Sequence, residues 1–117
     1  MIIGTGIDIV ELKRIEDTLH RHPNFIKRIL TEKEEQNFQK LIEKRKIEFL
    51  AGRFAAKEAF SKAIGTGIGR NLSWKDVEIL PAINGKPTIV SEKTNGKIHL
   101  SISHSKEYAV ANVIIEL

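Results

Sequence analysis

The stretch Lys44 to Ile64, KRKIEFLAGRFAAKEAFSKAI, constrains this chain more than any other segment. It holds one glycine and no proline, it is long enough for about six helical turns, and Gly65 behind it is a natural helix terminator. Helical spacing from Ile47 puts Leu50, Ala51, Phe54, Ala55, Glu58, Ala59 and Lys62 on one face with it. Six of those eight are apolar, so the face is expected to pack inward. A carboxylate and an ammonium on such a face cost several kcal/mol unless they are paired or used. A solvated i,i+4 pair would add only about a few tenths of a kcal/mol. Glu58 and Lys62 therefore read as a structural ion pair or as part of a site.

The remaining pattern argues for an α+β domain, with a helical N-terminal half packed on an antiparallel sheet formed largely by the C-terminal half. Residues 2–9, IIGTGIDI, read as a buried strand. Val10 to about His20 reads as a helix with Leu12, Ile15 and Leu19 on one side, ended by Pro23. Asn24 is expected to cap a short turn, NFIKRIL. Thr31-Glu32-Lys33-Glu34 is a capping box that predicts a helix from Thr31 to about Leu41. After Gly69, WKDVEIL, KPTIVSE, KIHLSIS and YAVANVIIE are of strand length, predicting three or four strands. Asn84-Gly85 and Asn95-Gly96 are the hairpin signals between them. The 117 residues read as a single domain, 1–117, with no repeat, linker or low-complexity tract.

Cysteine is absent, which excludes a disulfide framework, a thiolate nucleophile and a zinc-thiolate site. No apolar run approaches the ~20 residues of a membrane helix. MIIGTGIDIVEL has no basic region ahead of its apolar stretch, so it does not read as a signal peptide, and a cytoplasmic location is expected. The net charge of +4 is concentrated in residues 40–62, where seven basic residues face three acidic ones. Such a field suits an anionic partner: a nucleic acid, a phosphorylated small molecule or an acidic protein. A solvated helix face explains it equally well.

Four groups of residues carry candidate chemistry. Asp8, flanked by Ile7 and Ile9, points away from them because strand side chains alternate. It either faces water, caps the next helix, or joins Glu58 in holding a divalent cation. Magnesium takes one or two protein carboxylates and completes its shell with water and phosphate. A metal and Lys62 together could neutralise a phosphate under substitution, with Arg53 a further cation or a plain surface arginine. The nucleotide fingerprints GxxxxGK[ST] and GxGxxG are missing, and Gly65-Thr66-Gly67-Ile68-Gly69 reads better as a helix cap and loop than as a phosphate cradle. Ser103 and His104 are adjacent on a strand and face opposite ways, which makes them poor triad partners. Arg14, Arg21 and Arg28 recur every seven residues with Phe25 among them, fitting either a solvated face or a basic patch with an exposed aromatic for an acidic protein.

Taken in order, Gly6-Ile7-Asp8-Ile9, Arg53-Phe54-Ala55-Ala56-Lys57-Glu58-Ala59 with Lys62, and Ser101-Ile102-Ser103-His104-Ser105 form a specific set, supported by Asn84-Gly85-Lys86-Pro87. The chain resembles the holo-[acyl-carrier-protein] synthases of the 4'-phosphopantetheinyl transferase superfamily over essentially its whole length. The resemblance implies Mg²⁺-dependent transfer of phosphopantetheine from coenzyme A to a serine of apo acyl carrier protein, in support of fatty acid biosynthesis, with release of adenosine 3',5'-bisphosphate. It implies Asp8 and Glu58 as Mg²⁺ ligands, and Lys62 as the cation at the bridging phosphate oxygen. Either Glu58 or a metal-bound water would take the serine proton. Lys44, Arg53, Gly65, Asn84, Gly85, Lys86, Pro87 and His104 are implied around the coenzyme, and Arg14, Arg21, Phe25 and Arg28 against the acidic carrier. Short members of the family are homotrimers with sites at subunit interfaces. Larger monomeric members have a third carboxylate two residues after the first, where this chain has Val10, so water would complete the coordination. The rival readings are a small basic nucleic-acid-binding module, which would lack any recognised binding motif, and an inactive trimer that kept the fold.

Overall fold

In the computed structural model, which describes residues 1–117, the long helix spans Glu43–Ile64 (α4) and lies across an antiparallel sheet. That sheet has the order β1-β5-β4, with β1 at Ile2–Glu11, β4 at Lys97–His104 and β5 at Tyr108–Glu116. Three short helices, α1 (Leu12–Arg21), α2 (Phe25–Ile29) and α3 (Glu32–Gln39), lie between β1 and α4 in the chain. A separate hairpin, β2 (Glu78–Pro81) with β3 (Pro87–Val90), follows a 3-10 turn at Trp74–Asp76. The α+β expectation holds, with a different division of strands. Only β4 and β5 of the main sheet come from the second half, and the N-terminal strand completes it along β5.

The N-terminal strand is buried on one side only. Its even positions from Gly4 to Val10 face α4, whereas Ile7 and Ile9 are more than 60% exposed on the outer face. The glycines explain how α4 comes so close. A Cβ at Gly6 would stand 1.9 Å from the carbonyl oxygen of Ala59, and one at Gly4 would stand 2.1 Å from that of Ala63. Strand and helix backbones thus touch with no side chain between them, at Ala59 and Ala63.

Small residues let neighbours close around α4 on almost every side: Ala51, Gly52, Ala55, Ala56, Ala59, Ser61 and Ala63 are all buried. The stripe predicted from Ile47 is buried at Leu50, Ala51, Ala55 and Ala59. Phe54 and Glu58 are only half-buried, and Lys62 is exposed. The charged pair therefore sits at the margin of the packed face and not inside it. Gly65 ends the helix in the left-handed conformation, φ 96°, donating its N–H to Ser61 O at 2.9 Å.

The capping box at Thr31 is present in both halves, so α3 begins where expected. Asn24 makes no side-chain cap to α2. Asn84-Gly85 does turn the β2–β3 hairpin, with Gly85 at φ 84° and Ala82 N–H donating to Lys86 O at 2.8 Å. Asn95-Gly96 turns no hairpin: β3 before it pairs only with β2, and β4 after it pairs only with β5. Gly96 serves close approach: a Cβ there would stand 2.6 Å from Ile115 Cγ2.

Candidate active site

Alternation on β1 turns Asp8 toward α4, where its side chain is only 17% exposed. It neither faces open water nor caps α1, whose cap residue is Glu11. Lys62 reaches across from the last turn of α4, its Nζ donating to Ile7 O at 2.9 Å and to Asp8 Oδ1 at 3.3 Å. The ion pair Lys62 makes is thus with Asp8, and none joins it to Glu58.

Glu58 lies one turn before Lys62, and the two carboxylates feel each other. Burial pushes the Asp8 carboxyl up from its ordinary value, while the hydrogen bond and charge of Lys62 and the charge of Arg14 hold it back. Glu58 is pushed up by burial first and by the Asp8 charge second, with Lys62 opposing. Two hard oxygen donors that repel one another fit a magnesium-type ion, which would relieve both effects. No third His, Cys, Asp or Glu joins them into a cage. Val10, at the position of a third carboxylate, is buried in the core.

A cleft of about 970 Å³ opens between the start of α1, the start of α4 and the β4–β5 turn. Lys44 and His104 line it together, with His104 Nδ1 3.7 Å from Glu48 Oε2. The other expected coenzyme residues do not line this cleft. Gly65 is the α4 cap, and Asn84, Gly85, Lys86 and Pro87 form the tip of the β2–β3 hairpin, where Asn84 Oδ1 accepts from Lys86 N–H at 3.0 Å. Arg53 points to the flank of α4 away from Glu58, its guanidinium 4.0 Å from the centre of the Phe49 ring. Burial lowers its pKa and leaves Nε without a hydrogen-bond partner.

Arg14 and Arg21 line one shallow groove on α1, while Arg28 is exposed on α2. Phe25 departs from expectation. It is half-buried and packs on Phe54 with ring centres 6.0 Å apart, and Phe54 stacks on Trp74 at 5.1 Å. It belongs to the margin of the core and not to an exposed patch.

Sequence reasoning missed the pair Lys57 and Glu34, both fully buried and joined at 2.7 Å. Lys57 Nζ also donates to Ile29 O at 2.7 Å and Trp74 O at 3.1 Å, so all three of its donors are used. Burial lowers the Lys57 pKa, with Glu34 opposing. The usable signal is the small residues that flank Lys57 on α4, Ala55, Ala56 and Ala59, which let neighbouring elements close over that side of the helix. Lys57 consequently adds nothing to the solvated positive field predicted for residues 40–62.

A family model for the 4'-phosphopantetheinyl transferase superfamily matches residues 4–113. This chain belongs to that superfamily. A holo-[acyl-carrier-protein] synthase of Geobacillus sp. is 61% identical over 116 residues, covering 99% of this chain and 98% of the relative. One of Bacillus subtilis is 58% identical, covering 99% and 97%. Among solved structures, a Bacillus anthracis holo-(acyl-carrier-protein) synthase in complex with CoA (3',5'-ADP) superposes with TM-score 0.93 at 53% identity, covering 99% of this chain and 97% of the other. The Helicobacter pylori holo-[acyl-carrier-protein] synthase in complex with coenzyme A gives 0.86 at 35% identity, covering 96% and 99%. Superfamily membership accounts for the ordered motifs around Asp8, Glu58 and His104, and the solved relatives share the α+β fold.

Proposed function

We propose that this chain transfers 4'-phosphopantetheine from coenzyme A to a serine hydroxyl of apo acyl carrier protein, in the cytoplasm, supplying carrier for fatty acid biosynthesis. The observation that carries this reading is the meeting of Asp8, Glu58 and Lys62 at one edge of α4 in a chain of this superfamily. Asp8 and Glu58 would hold Mg²⁺, which when bound supplies charge neutralisation at the coenzyme pyrophosphate.

The serine oxygen forms a bond to the phosphorus that carries pantetheine, and the bond from that phosphorus to the bridging oxygen breaks. Adenosine 3',5'-bisphosphate departs with the bridging oxygen, whose developing charge Lys62 neutralises. Glu58 takes the serine proton as the general base. Lys44 and His104 hold the coenzyme along their shared cleft.

Arg53, Gly65, Asn84, Gly85, Lys86 and Pro87 provide the remaining coenzyme contacts, some from a neighbouring subunit of a homotrimer. The outer sheet face supports such an assembly, since it leaves Ile3, Ile7, Ile9 and Tyr108 exposed. The acidic carrier docks on Arg14, Arg21 and Arg28, with Phe25 supporting that surface from beneath through Phe54. No helix is long and apolar enough to cross a membrane. A nucleic-acid partner loses part of its electrostatic support with Lys57 buried.

The test is a transfer assay with coenzyme A, apo carrier and Mg²⁺, repeated with chelator and with Asp8→Asn. Transfer that both changes abolish supports the reading. Transfer that survives both removes the metal role, and salt-sensitive DNA binding without transfer would favour the nucleic-acid module.

A further inference from the structure

The β2–β3 hairpin shares no backbone pairing with the main sheet, yet its tip carries Asn84, Gly85, Lys86 and Pro87. The path from it to α4 runs through Glu34. Glu34 Oε2 accepts from Ile79 N–H in β2 at 2.8 Å. Oε1 accepts from Lys57 Nζ of α4 at 2.7 Å and from Thr31 N–H at 2.8 Å. Beside it, Thr31 Oγ1 donates to Glu78, the first residue of β2. Lys57 in turn holds the end of α2 at Ile29 and the 3-10 turn at Trp74. One fully buried ion pair therefore ties four surrounding elements to the residue next to Glu58.

A buried ion pair is a poor source of stability, because well-packed apolar residues often do as well, but it fixes geometry through directional bonds. We propose that Lys57 and Glu34 are positioning residues that set the β2–β3 hairpin against the helix carrying Glu58 and Lys62, so that the coenzyme is held at both ends at once. This rests on the proposed coenzyme role of the hairpin. Neither residue touches the coenzyme; both act through Ile79 and its strand, β2.

The experiment is steady-state kinetics on Lys57→Met/Glu34→Gln, on Lys86→Ala, and on the combination. The neutral pair keeps the volume and leaves no buried charge, while one amide oxygen serves in place of two carboxylate oxygens. The expected result is a KM for coenzyme A raised about tenfold, with the KM for carrier protein unchanged. Combined with Lys86→Ala, the increase should fall short of the product of the separate ones, because both act through the hairpin. Where the double variant does not fold, Glu34→Asp keeps both charges but cannot span Lys57 and Ile79 together, and it should raise the same KM. Multiplicative effects, or equal losses toward both substrates, overturn the positioning role. If Lys86→Ala leaves the KM for coenzyme A unchanged, the hairpin has no coenzyme role and the proposal falls with it. A Lys86→Ala defect without a matching one in the double variant overturns the positioning alone.

Discussion

Replacing Gly6 with alanine tests how the site is assembled. The added Cβ would stand 1.9 Å from Ala59 O and 2.8 Å from Ala63 N, both backbone atoms of α4. The first distance is about 1.5 Å short of ordinary contact, and no side chain can move aside to supply it. Strand and helix must separate. Lys62 reaches Ile7 O at 2.9 Å and Asp8 Oδ1 at 3.3 Å across this same seam, so a shift of that size breaks both contacts. Overpacking of this kind costs about 1–3 kcal/mol. For a chain of this length that is a fall in Tm of about 4–12 °C. Misplacing catalytic groups by about 1 Å costs up to about a hundredfold in rate, so kcat should fall by a similar factor. Thermal melts and steady-state transfer assays on the one preparation measure both. Gly52→Ala is the control: its Cβ meets only Ile102 Cγ2 at 3.4 Å, and alanine favours the helix by about 0.5–1 kcal/mol. It should melt at or above wild type with normal activity. A Gly6→Ala protein with wild-type Tm and kcat would refute the close-approach account.

Glu58→Gln should lower kcat by about 10²- to 10⁴-fold, as expected for loss of a general base, without lowering the metal-free Tm. The raised Glu58 pKa means the folded chain binds that proton more tightly than the unfolded one. The ionised carboxylate therefore opposes folding once pH rises through the ordinary value of 4.5 and beyond the folded one, and the amide relieves this. A clearly lower Tm would contradict that sign. Glu58→Gln should also flatten the acid limb of the transfer rate in whatever activity remains, because the base that must ionise is gone. Lys57→Met alone should cost about 3–5 kcal/mol by stranding the buried Glu34 charge. Lys57→Met/Glu34→Gln should recover most of that in urea melts, and equal losses in the two would show that the charge is not what matters.

Much of the fold was legible wherever a local signal decided the outcome. The Thr31 capping box, the α4 span, its Gly65 cap and the Asn84-Gly85 turn all depend on neighbouring residues. Tertiary partners decided what was misread. Asn95-Gly96 looks like a hairpin turn, but β3 pairs only with β2 in a separate hairpin and leaves the open edge of β4 unpaired. The isoleucines of β1 look like core until pairing and helix cover leave Ile7 and Ile9 outside. At the site, alternation set Asp8 opposite Ile7 and Ile9 but left open which side α4 covers, and the helical repeat predicted the neighbourhood of Glu58 and Lys62. The Lys57–Glu34 pair was invisible because its partners are 23 residues apart in the chain. Phe25 was misjudged for a related reason, since nothing local reveals that Phe54 and Trp74 stack beneath it.

The central claim, that this chain is a phosphopantetheinyl transferase, is tested most directly by the intact mass of apo acyl carrier protein after incubation with this protein, coenzyme A and Mg²⁺. The account predicts a gain of one phosphopantetheine group, absent from a carrier whose acceptor serine is alanine. An unchanged carrier mass with folded protein and intact coenzyme would contradict it.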